Sequence, residues 1–382
     1  MKIAKVESYI VGNPWKSWVF VKVTTDDGYS GVAESTLNGF AGSVVKALEE
    51  LKPYYIGKDP HSIERISEDM FTPVFSRGGM IHKSAITAIE VACWDIIAKR
   101  ADVPLWNLIG GKYRDKLLCY ANGWYRHERT PDDFAKSAAK VVDMGYKAMK
   151  FDPFGEAKGS ITLSEIRDSI DIIAAVRDAV GNEVELLIEG HGRFNVDSAI
   201  RIGNELDKLE VMLFEEPVSP ENISGLLEVA RKSRVPIAAG ERFYTIEMWA
   251  DIFAKNALHI AQPDIINSGG ISHAKKVAAI AEAYGVSVAP HNPQGPISTA
   301  ICVSFGVSTP NFVIQEVFDD FNEPWTMDLI TNPFRVEDGY LYPSERPGLG
   351  VNIIEEKVKN HLSNGIEALN LFVEGWEKRD KK

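Results

Sequence analysis

Short apolar runs in the second half of the chain keep ending on a chemically active residue. Glu189, Glu215, Glu241, Asp264, His291 and Glu316 close such runs at steps of 26, 26, 23, 27 and 25 residues. That is the spacing of repeated βα units. With LLCYANGW from Leu117 as a first strand and Lys150 ending a second, eight strands fit between Leu117 and Val317. Eight such units with right-handed crossovers close a TIM-type (β/α) barrel, which takes about 250 residues and carries its chemistry at the C-terminal strand ends.

The flanks of this α/β barrel have a different grain. WVFVKVTTDDGYSGVAES places two apolar runs around Asp27-Gly28, a good hairpin turn because glycine accepts positive φ. Ser84 to Lys99 then reads as a buried or amphipathic helix, with Ile86, Ile89, Val91, Trp94 and Ile97 near helical spacing. These features predict an α+β module over residues 1–115, a barrel over 116–332, and a C-terminal segment, 333–382, that returns to the module to complete a capping domain. One barrel helix is fully punctuated: Thr130 as cap, Pro131 in the first turn, and Gly145 as the stop.

Charge and cysteine content exclude several classes of function. A net charge of -12 argues against nucleic-acid or anionic-membrane partners, which need a concentrated cationic surface. No window reaches the apolar length of a membrane span, and the N-terminus lacks a signal core. Cys93, Cys119 and Cys302 are widely spaced in apolar surroundings, as reduced core thiols of a cytoplasmic protein would be.

Strand tips of a barrel point to one mouth, so Glu189, Glu215 and Glu241 should converge. A single glutamate there can be a plain helix-start charge. Three together repel unless a cation joins them, and carboxylate oxygens suit a hard divalent ion such as Mg²⁺, one per site. Glu216, adjacent on its strand, points the other way. Asp264 and His291 fall on neighbouring strands within hydrogen-bonding reach, an arrangement that orients an imidazole as a general base.

With these residues in view, the chain resembles the enolase superfamily, mandelate racemase-like subgroup, over nearly its whole length. The carrying stretches are AITAIEVACWDIIAK, LIGGKYRDK, KAMKFDPFG, FEEPV, AAGER, PDIINSGG and PGLGV. The resemblance implies Mg²⁺ on Glu189, Glu215 and Glu241, a catalytic Asp264–His291 dyad, and Glu316 as the acid that meets the substrate carboxylate. It also implies abstraction of the proton α to a carboxylate. Many members carry Lys-x-Lys at the second strand, where this chain has Lys150-Phe151-Asp152. That departure undermines a two-base racemase, although a perturbed Asp152 could still move a proton.

The stretch ELLIEGHGRF, residues 185–194, resembles acid sugar dehydratases in placing His-Gly-Arg after the third-strand ligand. His191 would then protonate a departing β-hydroxyl while His291 takes the C2 proton, yielding a 2-keto-3-deoxy acid from an aldonate such as gluconate or galactonate. His191 that only orders its loop is the plainer reading. Lys150 is expected at the carboxylate or at a metal ligand, Asp152 at a distal substrate hydroxyl or in a structural salt bridge, and Arg193 as a substrate contact or a partner of another site residue, while Trp15, Lys16, Arg77 and His82 are either substrate contacts or surface and interface residues. Two other readings use the same residues: an epimerase or cycloisomerase of hydroxy acids, and a non-catalytic binding or scaffold barrel. A sugar acid is the expected small-molecule partner, and the family's habit of assembly implies a homo-oligomer.

Overall fold

The computed structural model describes residues 1–14, 16–366 and 371–378. Strands β1 (Ile3–Gly12), β2 (Ser17–Thr25) and β3 (Ser30–Glu34) form an antiparallel meander. The β2–β3 hairpin turns where the sequence puts Asp27-Gly28, with Gly28 at φ +90° and Thr24 opposite Ser30. Helix Gly79–Arg100 begins five residues before Ser84, and it is buried on almost every side because it lies between the meander and the barrel.

Eight parallel strands among the described residues form the barrel: β4 (Leu117–Ala121), β5 (Ala148–Phe151), β6 (Glu185–Glu189), β7 (Leu213–Glu215), β8 (Ile237–Ala239), β9 (Ile260–Ala261), β10 (Ser287–Val288) and β11 (Gln315–Val317). They pair in the order β10-β9-β8-β7-β6-β5-β4-β11. Val288 closes the ring, its N–H donating to Asn311 O and its carbonyl accepting from Val313 N, each 2.9 Å. Helix Pro131–Asp143 shows how locally the connecting elements are specified: the Thr130 hydroxyl accepts from Asp133 N, and Gly145 at φ +93° ends the turn.

Tyr120, Ala148, Leu187, Leu213, Ala238, Ile260, Ala289 and Ile314 fill the lumen as a buried cluster of their own. Burying apolar surface at about 25 cal/mol per Å² makes this plug part of the stabilising core, and it seals one end of the barrel from water.

Three buried carboxylates of the N-terminal module bolt it to the rest of the chain. Glu34 accepts from Gly295 N (2.8 Å) and Ser298 N (3.0 Å) at the start of helix Pro296–Val307. Glu90 accepts from Ile271 N (2.9 Å) and Ser272 N (2.8 Å) at the start of helix Ile271–Ala283. Asp95 takes Val32 N and Leu349 N. A carboxylate out of water is costly without donors, and unbonded helix N-termini supply them. Burial still pushes both Glu34 and Glu90 up to about 7 against those bonds. The match is steric too: a Cβ on Gly270 or Gly295 would run into the Glu90 or Glu34 carboxylate.

Past the barrel, β12 (Tyr340–Leu341) pairs antiparallel with β4. The chain then returns to the module, as Gly348 O accepts from Leu105 N and His361 O from Gly12 N. It does not stay there: Phe372–Lys378 lies over loops of the barrel mouth. The three cysteines are free and buried. Among the described residues no helix is long and apolar enough to cross a membrane.

Candidate active site

Side chains two apart on a strand share a face. Counting two residues on from the lumen plug therefore gives the next inward layer: Asn122, Lys150, Glu189, Glu215, Gly240, Gln262, His291 and Glu316. Charged groups stand directly on an apolar floor. Glu241, Asp264 and His291 lie two or three residues beyond β8, β9 and β10 rather than on them. Gly240, at φ +148°, has no room for a Cβ beside the Gln262 backbone, and its turn brings Glu241 back to the mouth.

Ligand atoms of Glu189, Glu215 and Glu241 all lie within 4.8 Å of one another. Glu189 and Glu215 face each other in register on β6 and β7. Lys150 Nζ sits 2.9 Å from both Glu215 oxygens, 3.1 Å from Glu316 and 3.3 Å from Glu189. Burial alone would lower this lysine, but Glu215 and Glu316 hold it well above its usual range. Burial and the Glu189 charge push Glu215 well above the carboxylate range. One ammonium facing three buried carboxylates, with Glu241 a fourth beside them, leaves an excess of negative charge. An all-oxygen donor set of this kind fits a hard divalent cation.

Two imidazoles flank the trio. His291 Nδ1 lies 2.9 Å from Asp264 Oδ2, and its Nε2 is 3.0 Å from Glu241. Asp264 caps the short helix Ile265–Ser268 and accepts from Ile266 N and Asn267 N. Burial opposes protonation of His291, yet Glu241 and Asp264 raise it well above the ordinary histidine value. At the other end of the trio, His191 N donates to Glu189 Oε1, and its Nδ1 lies 2.7 Å from Asp152 Oδ2. His191 adopts φ +50°, the left-handed turn that the neighbouring glycines make room for.

Residues 133–357 match the family described as Enolase C-terminal domain-like, and residues 11–110 match the Mandelate racemase / muconate lactonizing enzyme, N-terminal domain. The chain belongs to this enolase-superfamily family. A D-gluconate/D-galactonate dehydratase of Picrophilus torridus is 35% identical over 98% of this chain and 97% of its own. A D-galactonate dehydratase of Verminephrobacter eiseniae is 36% identical, covering 94% of both chains. The solved mandelate racemase/muconate lactonizing enzyme from Jannaschia sp. CCS1 superposes with a TM-score of 0.90 at 32% identity, covering 98% of this chain and 100% of that one.

Within this family site, several expected contacts take other positions. Asp152 is completely buried, with its oxygens on His191, Arg193 (2.6 Å) and Phe154 N (2.9 Å), the structural salt bridge being the arrangement present. Arg193 is equally committed, to Asp152 and to Gly155 O, with the Phe372 ring 4.4 Å from its guanidinium carbon. Glu316 has one oxygen on Asn122 (2.7 Å) and Lys150, the other on Asn292 N (2.6 Å). Although burial opposes it, Lys150 and His291 lower Glu316 below its usual value, which favours its ion pair with Lys150. Glu216 turns away to Arg242.

A cleft of about 380 Å³ opens beside His291. Glu241, Asp264 and Gln294 wall it from the barrel, and Leu37, Asn38, Phe40, Met80 and Ile81 from the module. Arg77 is exposed and rests on the Phe71 ring, while its neighbour Gly78 reaches the cleft. His82 is buried and bonded to Met70 O, and Lys16 is buried against Pro293 O and Gln294. Trp15 lies outside the described residues. Sequence reasoning missed Asn122, which bonds Glu316, and Gln262, which bonds Glu215 at 2.6 Å. The two-residue step from the lumen plug was the signal that could have found them.

Proposed function

We propose that the protein is an Mg²⁺-dependent acid sugar dehydratase that turns an aldonate, such as gluconate or galactonate, into its 2-keto-3-deoxy acid. One observation carries this reading: two histidine–aspartate couples, His291–Asp264 and His191–Asp152, flank one carboxylate trio. Each imidazole uses Nδ1 on its aspartate, so Nε2 is the nitrogen that would exchange a proton with a ligand; that of His291 lies 3.0 Å from Glu241 in this structure. The names of the relatives point to the same reaction.

Glu189, Glu215 and Glu241 would hold the ion, which when bound polarises the substrate carboxylate as a Lewis acid. Lys150, held cationic at the floor, adds fixed positive charge where the enediolate develops. His291 takes the C2 proton, and His191 gives a proton to the C3 hydroxyl, which leaves as water as the C2–C3 double bond forms. The enol tautomerises to the keto acid. An epimerase needs a second competent group on the opposite face, and the residue available at the end of β5, Asp152, is buried under His191.

A panel of C4 to C6 aldonic, uronic and aldaric acids, incubated in D₂O with Mg²⁺ and with chelator, tests the proposal. Metal-dependent keto acid from an aldonate is the expected outcome. Deuterium at C2 of recovered acid or its epimer, without keto acid, would replace dehydration with epimerisation, and no reaction across the panel would overturn both.

A further inference from the structure

We propose that the C-terminal segment Phe372–Lys378 is a wall of the active site in which Trp376 is a positioning residue for His191. The inference rests on the dehydratase reading for its kinetic consequence and on geometry alone for the contact.

The Trp376 ring meets the His191 imidazole edge to face, with centroids 5.7 Å apart and planes at 88°. Phe372 stands 5.9 Å from the same imidazole and covers the Arg193 guanidinium. The segment is pinned at three further points. Trp376 Nε1 donates to Gly155 O at 3.3 Å, Arg129 reaches Glu377 at 2.7 Å, and Lys378 pairs with Glu128. Glu377 is 1% exposed, so its carboxylate is a buried anchor of the segment. All these partners sit on the loops that follow β4, β5 and β6, on the His191 side of the mouth.

The Asp152 bond fixes where His191 Nδ1 points, but one hydrogen bond leaves the imidazole free to tilt about it. An aromatic edge against the ring removes that freedom. The wall also keeps bulk water from the acid, so that its proton passes to the leaving hydroxyl and not to solvent. The His191 side chain keeps 23% exposure, an opening through which a ligand can reach it. His291 instead borders the cleft that the N-terminal module walls with Leu37, Phe40 and Met80.

The test compares Trp376→Ala and Trp376→Phe with the wild-type holoenzyme. Folding is checked by thermal melting, and keto-acid formation is measured beside C2 hydrogen exchange. Loss of orientation predicts that Trp376→Ala lowers kcat for keto acid about 10-fold while exchange through His291 and KM stay unchanged, and that Trp376→Phe recovers most of the rate. Equal loss of both activities, or no loss, overturns the proposal. Should the wild-type enzyme dehydrate no aldonate, the function reading fails separately. The Cε1–H resonance of His191 in histidine-labelled protein, assigned through His191→Asn and read at one pH, then decides the contact. It must move in Trp376→Ala while that of His291 does not, and a stationary His191 signal overturns the inference.

Discussion

The two histidine–aspartate couples at the barrel mouth share a geometry and differ in what stands behind the aspartate. Asp264 is held by the backbone N–H groups of Ile266 and Asn267, and no cationic side chain shares it with His291 among the bonds described. Asp152 divides its charge between His191 and the Arg193 guanidinium. A carboxylate already paired with a cation raises a neighbouring imidazole less. Burial works against protonation in both, while Glu241 and Asp264 lift His291 well above its ordinary value, and Glu189 and Asp152 lift His191 by less. Under the proposed dehydratase reading, the same motif would serve two tasks, a base at His291 and an acid at His191.

Breaking the His291 couple should have the largest effect. His291→Asn is expected to reduce C2 exchange and keto-acid formation together, by roughly 10⁴-fold, and surviving exchange would remove His291 as the base. The sharpest separation comes from His191→Asn. Dehydration should fall by roughly 10³-fold while deuterium still enters at C2, and a parallel loss of exchange would show that the couples act as one unit. A smaller effect is expected from Arg193→Met, which returns the whole Asp152 charge to His191 and makes it a weaker acid. Keto-acid formation should slow by about 10-fold with exchange untouched, and an unaltered rate would show that the guanidinium does not tune the imidazole.

Much of this site was legible in the chain because barrels repeat. Equal steps between Glu189, Glu215 and Glu241 were enough to bring three carboxylates to one mouth, and the Asp264–His291 pairing followed from adjacent strands. The Asp27-Gly28 hairpin and the helix from Pro131 were equally readable, because their turns and caps are local chemistry. Asp152 was not. A polar residue at a strand end looks the same whether it faces a ligand or supports a neighbour, and only the depth of the Arg193 and His191 contacts decides. Asn122 and Gln262 were passed over because amides carry no charge to mark them. Contacts across long separations left the least trace, as with Trp376 on His191 and Glu34 on Gly295.

The buried carboxylates that bolt the N-terminal module to the barrel also bear on how such enzymes can be recombined. Glu34 and Glu90 fill the space a side chain would take at Gly295 and Gly270, and they bond the first N–H groups of two barrel helices. Each glutamate and its glycine form a lock and key divided between two parts of the gene. A chimera that exchanges the module to import a new specificity will inherit a clash or an orphaned helix end unless both halves of each pair travel together.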